Sequence, residues 1–196
     1  MPSNTKLLFL AGSARTGSVN CKLAKLAAAI AAANGVPATF ADLGDYPLPL
    51  YDGDLETKDG VPDNALKLKE LMMIHKGVFI ATPEYNASIT PLLKNTLDWI
   101  SRVKTPGEAP LFVFKSRVFA LGAASPGGFG GVRGCLATRQ VLELGLGALV
   151  LPDQILVPKA AGAFDEQGHL TDKALNGQLK AVIERLAVAA RVLHGA

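Results

Sequence analysis

The sequence predicts an α/β fold in which a five-stranded parallel sheet is covered by helices on both faces. Three observations carry this. Short apolar runs of strand length alternate with longer segments of helical period, the pattern of successive βα units. Several of those runs are continuously apolar rather than alternating, so their strands are buried on both faces, as in an all-parallel sheet. The chain has 196 residues with 49% hydrophobic content, ample for one core. No linker, repeat or low-complexity tract divides it, so residues 1–196 are expected to form a single domain.

The first strand is read at residues 6–12 (KLLFLAG), near the sheet centre, followed by an alanine- and leucine-rich helix over 18–34 that stops at Asn34-Gly35. A second strand spans 38–43. Residues 46–60 (YPLPLYDGDLETKDG) hold prolines, glycines and acids without periodicity and read as an excursion loop. Pro62 opens a helix whose apolar face steps through Ala65, Leu68, Met72 and His75 to a third strand at 77–82. A helix over 90–102, a Pro/Gly-bearing link and a fourth strand at 117–124 follow. The last unit has a helix over 132–144 and a strand at 148–157, where Pro152 demands an edge or a bend. A final helix from Thr171 carries Leu175, Leu179, Val182, Ile183, Leu186 and Leu193 on one stripe.

Composition excludes several function classes. A net charge of +3 with no Lys/Arg-rich run speaks against nucleic acid. No apolar stretch reaches the eighteen or so residues of a membrane span, and the start MPSNTK leads into no export signal, so a cytoplasmic protein is expected. Cys21 and Cys135 lack metal-ligand spacing and are expected as thiols. His75, His169 and His194 share no motif and are expected on the surface or on helix faces. Charge distribution is more informative than its sum. No Asp or Glu precedes Asp42, whereas Lys6, Arg15, Lys22 and Lys25 all lie in that acid-free span.

In a parallel sheet the loops after strands 1, 3 and 4 emerge together at the carboxyl edge. The first, residues 12–20 (GSARTGSVN), brings hydroxyls, an amide and a guanidinium to the start of a helix, whose free N–H groups and partial positive charge favour a phosphate. The alternative is that Ser18 only caps the helix and Gly12 only turns the chain. Gly12 and Gly17 have the spacing of GxxxxGK[ST], but Ser18 stands at the lysine position, which disfavours an NTPase. The GxGxxG dinucleotide fingerprint is also absent after strand 1. In the second loop, residues 82–90 (TPEYNASIT), Pro83, Tyr85 and Asn86 offer a wall and a polar rim for a flat heterocycle, or an ordinary turn capped by Ser88 or Thr90. The third, residues 125–131 (SPGGFGG), has four glycines that permit close backbone approach to a ligand, or only flexibility.

These motifs, GSARTGSVN, PEYNASITPLLKNTLDWISR and SPGGFGGVRGCLATRQVL, stand in the order and spacing of the NADPH-dependent FMN reductase family, which the chain resembles over nearly its whole length. The resemblance implies a flavodoxin-like three-layer fold with strand order 2-1-3-4-5 and a bound FMN. It carries the FMN phosphate to Ser13, Arg15, Ser18 and Asn20, with Thr16 of the same loop also cofactor-binding, the isoalloxazine ring to Pro83, Glu84, Tyr85 and Asn86, and the loop bordering the flavin to Ser125, Pro126 and Gly127. It also implies a homodimer or homotetramer built across the helix LKNTLDWISR, with Trp99 and Ile100 as interface candidates, and a loop at Leu50 to Asp52 that reaches toward a neighbouring subunit's flavin.

The expected activity is a ping-pong transfer of hydride from NADPH or NADH through FMN to a quinone or other small-molecule electron acceptor. No catalytic side chain is expected, since the cofactor carries the chemistry. A flavodoxin-like electron carrier serving protein partners is the competing reading, and a pI of about 8.9 argues against it, as carriers are commonly acidic.

Overall fold

The computed structural model describes residues 5–194; the MPSN start, on which part of the export reading rests, lies outside them. Five parallel strands form one sheet in the order β2-β1-β3-β4-β5. They are β1 (Leu7–Ala11), β2 (Ala38–Ala41), β3 (Gly77–Ala81), β4 (Val118–Ala124) and β5 (Leu149–Val157). Every residue of β1, β3 and β4 is buried, which is why these strands read as unbroken apolar runs. Successive side chains alternate between two cores. Leu7, Phe9 and Phe79 face α1 (Val19–Ala33) and α7 (Lys173–Leu193), while Leu8, Leu10 and Ile80 face α3 (Asp63–Met73), α4 (Pro91–Arg102) and α6 (Val132–Gln140).

Local chemistry explains where the elements begin and end. Ser18 caps α1 by accepting the Cys21 N–H, and Gly35, at φ 74°, takes the left-handed exit. Thr90 caps α4 with Pro91 in the first turn, and Asp172 caps α7, which therefore starts two residues after Thr171. In β5 the partners advance from Val150 to Gln154 while β4 advances only from Phe119 to Leu121. Pro152 lies in that irregularity, on the edge strand, where its missing N–H costs no ladder bond.

Several expectations are corrected. Residues 46–60 are not wholly a loop, because α2 (Gly53–Asp59) forms there, capped by Asp52 and ended by Gly60 at φ 79°. It buries no residue, so no apolar period marked it. The link after α4 contains a single turn, α5 (Phe112–Lys115), and is held by the buried Lys69, whose ammonium donates to Val103 O, Thr105 Oγ1 and the Glu108 carboxylate. The α6 helix widens into a π turn over Val141–Gly145. Leu193 is exposed at the end of α7 rather than on its core stripe. Trp99 and Ile100 are fully buried inside their own chain, so neither is an interface residue. The Trp99 indole donates to Pro49 O at 2.7 Å, under the edge of the Tyr51 ring.

His75 is also corrected, for it lies beyond the end of α3 and is 1% exposed. Its Nδ1 is 2.6 Å from Leu71 O and must carry the proton, so Nε2, 2.9 Å away, accepts the Thr39 hydroxyl. Burial pushes its pKa below the usual histidine value, and burial does the same for His194. The unfolded chain therefore takes up protons below about pH 6.5 that the folded chain refuses. Stability is thus expected to fall as pH drops below that value, before carboxylates titrate. Urea midpoints at pH 8 and pH 5.5 check this: the wild type should lose more than His75→Gln, and equal losses would contradict it.

Candidate active site

Because β1, β3 and β4 are adjacent and parallel, the loops that follow them share one edge of the sheet. Close packing holds the first two together. A Cβ on Gly12 would lie 2.9 Å from Pro83 Cδ and 3.0 Å from Leu93 Cβ, so only glycine fits where loop 12–18 leaves β1. The Thr90 hydroxyl donates to Gly12 O at 2.7 Å, tying the far end of loop 82–90 to the same point. The first and third loops are joined by Asn20, 3% exposed, whose amide donates to Ala124 O at 2.8 Å and accepts the Ala124 N–H at 2.9 Å.

The three loops border a cavity of about 440 Å³. Of the residues expected there, Ser13, Arg15, Ser18, Asn20, Pro83, Glu84, Tyr85, Ser125 and Pro126 line it. Thr16, Asn86 and Gly127 belong to the same loops but lie outside the lining. Gly17, Val19, Lys22, Ala124 and Ala161 line it as well and went unforeseen. The signal for Lys22 was available, since it follows Ser18 by one helical turn and so shares its face. Ala161 comes from the short turn Ala160–Gly162 after β5, which nothing in the sequence tied to this edge.

The cavity has an electropositive end. The first turn of α1 holds no acid. Gly17 makes no hydrogen bond among the described residues. Arg15 is exposed, with one N–H on Thr16 O. Ser13 Oγ accepts the Arg15 N–H at 3.3 Å, which shapes the turn, and Ser13 O accepts the Cys21 thiol at 2.9 Å. Burial raises the Cys21 pKa, so this thiol is a donor and not a nucleophile. Ser18 is indeed a helix cap, as the plainer reading had it, and it also lines the cavity.

At the other end, loop 82–90 folds back as a two-residue turn. Tyr85 and Ser88 exchange two backbone hydrogen bonds of 3.0 Å, with Asn86 at φ 50° and Ala87 at φ 64°. Asparagine suits that conformation, whereas for alanine it costs roughly 1–2 kcal/mol. The Tyr85 ring is left 53% exposed beside the cavity, with Pro83 and Pro126 as further apolar wall. The one acid in the lining, Glu84, is neutralised by Arg133. Its burial favours the neutral acid, but the Arg133 guanidinium and the N–H groups of Gly134 and Arg133 outweigh that and hold the carboxyl below its usual range. The third loop is fixed to the end of β5, with Ser125 N–H on Val157 O and Ala160 N–H on Ser125 O, both 3.0 Å.

The model of the NADPH-dependent FMN reductase family matches residues 5–162. An NAD(P)H-dependent FMN reductase of Pseudomonas aeruginosa is 33% identical over the full length of both chains. A quinone reductase of Escherichia coli is 33% identical over 92% of this chain and 95% of its own. Among solved structures, the flavoenzyme NAD(P)H:(acceptor) oxidoreductase FerB of Paracoccus denitrificans superposes with a TM-score of 0.76 at 25% identity, covering 96% of this chain and 98% of that one. The acid-free start of α1, the cavity it shares with Pro83, Tyr85 and Pro126, and the sheet order 2-1-3-4-5 thus coincide with these likenesses, and the chain belongs to the NADPH-dependent FMN reductase family, as a flavodoxin-like, FMN- and NAD(P)H-dependent oxidoreductase.

Proposed function

We propose that the cavity holds FMN with its phosphate at residues 13–20 and its ring beside residues 83–86, and that the enzyme passes electrons from NADPH or NADH to quinones or similar small acceptors. The observation that carries this is the acid-free, amide-rich start of α1, with Arg15 and Lys22, at one end of a cavity whose other end is walled by Tyr85, Pro83 and Pro126. A phosphate monoester fits the first end, since the α1 amides, Arg15 and the hydroxyls of Ser13 and Ser18 supply donors and no free carboxylate opposes it. Thr16, Asn86 and Gly127 complete the proposed set from the same loops. Bound FMN would supply the two-electron redox chemistry, and the residues around it bind, orient and leave one ring face open. Asn86 makes no hydrogen bond among the described residues, so its groups are available to a ligand's polar rim.

The test is the absorbance spectrum of the purified protein, followed by anaerobic titration with NADPH. A yellow protein that bleaches stoichiometrically is expected. Colourless protein that takes up no FMN, or a flavin that NADPH does not bleach, would overturn the reading. With donor and quinone both varied, double-reciprocal plots should be parallel; intersecting lines would reject the ping-pong order.

The active form is proposed to be a homodimer or homotetramer of single-domain subunits. Segment 49–51 is pinned to α4 by Asn95, which donates to Pro49 O and accepts the Tyr51 N–H, both at 2.8 Å, and by Trp99. Leu50 is thereby held 79% exposed. Leu50→Asp is expected to shift the oligomer toward monomer by light scattering at micromolar concentration; an unchanged mass would exclude this segment from the contact. Two free cysteines fit a reducing compartment, and the cytoplasm is the proposed location. Among the described residues, no helix is long and apolar enough to cross a membrane.

A further inference from the structure

Loop 82–90 borders the cavity and Glu84 is among the lining residues, yet its side chain is already paired. It is 9% exposed, and both carboxylate oxygens are engaged on α6. Oε2 accepts the N–H groups of Arg133 at 3.0 Å and Gly134 at 3.3 Å, and Oε1 pairs with the Arg133 guanidinium. The residue at the N-cap position of α6 is Gly131, which has no side chain to offer, and the first turn holds no acid. Glu84 therefore supplies from outside the helix what an N-cap carboxylate would supply from within.

Two further contacts press the same surfaces together. A Cβ on Gly134 would lie 3.0 Å from both Glu84 Cα and Pro83 O, so α6 begins directly against the loop backbone. The hydroxyls of Thr82 and Thr138, both fully buried, meet at 2.8 Å. Past Glu84, by contrast, Asn86 and Ala87 make no hydrogen bond among the described residues and sit in left-handed conformations. What holds the loop's tip is thus the clamp behind it.

We propose that Glu84 is a positioning residue, which clamps the loop to α6 and thereby sets the strength with which residues 83–86 hold reduced FMN. This rests on the flavin reading above. The clamp and a simple charge effect predict opposite results. If Glu84 acted through its negative charge, removing it would stabilise the electron-rich reduced flavin and raise the midpoint potential. If it acts by position, removing it loosens the loop whose Glu84 and Asn86 N–H groups, unbonded among the described residues, would donate to the electron-rich reduced ring, and the potential falls.

The test measures FMN affinity, two-electron midpoint potential and visible spectrum for wild type, Glu84→Ala, Glu84→Gln and Gly134→Ala. For Glu84→Ala we expect roughly tenfold weaker binding of reduced relative to oxidised FMN, the scale of a lost helix cap, which lowers the potential by about 30 mV. Glu84→Gln, uncharged but still an acceptor for the two N–H groups, should stay near wild type. Gly134→Ala, which keeps the charge but pushes the loop away, should move in the direction of Glu84→Ala. A rise in potential for both Glu84 variants, or wild-type values for Glu84→Ala and Gly134→Ala alike, would overturn the proposal. Should Glu84→Ala not fold, Gly134→Ala against Glu84→Gln decides. If the wild type itself takes up no FMN, it is the underlying reading that fails.

Discussion

Arg15→Ala is expected to weaken FMN binding by roughly 1.5 to 3 kcal/mol, about ten- to a hundredfold in Kd, the loss of one charged hydrogen bond. The guanidinium is exposed, and its one bond within the chain is a weak 3.3 Å contact with its neighbour's carbonyl. Nothing in the fold depends on it, so the apoprotein should melt at the wild-type temperature while the loaded protein melts lower, through lost ligand linkage. Titration of apoprotein with FMN, followed by quenching of flavin fluorescence, reads the affinity. The wild-type advantage should shrink as salt rises, because part of it is electrostatic attraction at an open site. Equal affinities for the two proteins would remove Arg15 from the phosphate site.

Asn20→Ala is expected to act on the fold and the site together. One buried amide satisfies both the N–H and the C=O of Ala124, at the very end of β4. Truncation leaves two buried backbone groups unpaired, at roughly 1–3 kcal/mol each. A loss of about 2 to 5 kcal/mol is a large part of the ~5–15 kcal/mol that typically keeps a domain folded. FMN affinity should fall as well, because the same bridge sets the spacing between the first and third loops. Urea denaturation of the apoprotein reads the stability; a change below about 1 kcal/mol would show that the bridge is dispensable. Asn20→Asp is a useful control, since it keeps an acceptor for the Ala124 N–H but turns a carboxylate oxygen toward the Ala124 carbonyl.

These two residues also show what was legible in the sequence. Asn20 was expected on the phosphate, because it is the amide at the start of the helix and the resemblance assigned it there. Its bridge to Ala124 spans residues far apart in the chain, and no local pattern encodes such a contact. The same holds for Glu84, whose partners Arg133 and Gly134 come from the first turn of α6 and which the resemblance assigned to the ring rather than behind it. The sheet order came from the family resemblance, whereas the buried strands and the shared edge were readable because they follow from apolar runs and parallel topology. Helix α2 was not, since it rests on the Asp52 cap and buries nothing. His75 and Trp99 were misjudged for a related reason. Each is buried by a neighbouring segment, Thr39 over one and Pro49 with Tyr51 over the other, and periodicity within one helix cannot see a cover that comes from elsewhere.

A crystal structure of the protein grown with FMN addresses the central assignment most directly. The account predicts the phosphate within hydrogen-bonding distance of the Arg15 guanidinium and the first amides of α1, with the ring against Tyr85 and the backbone of residues 83–86. Flavin density elsewhere on the molecule, or a phosphate turned away from residues 13–20 while the ring still occupies the cavity, would contradict it.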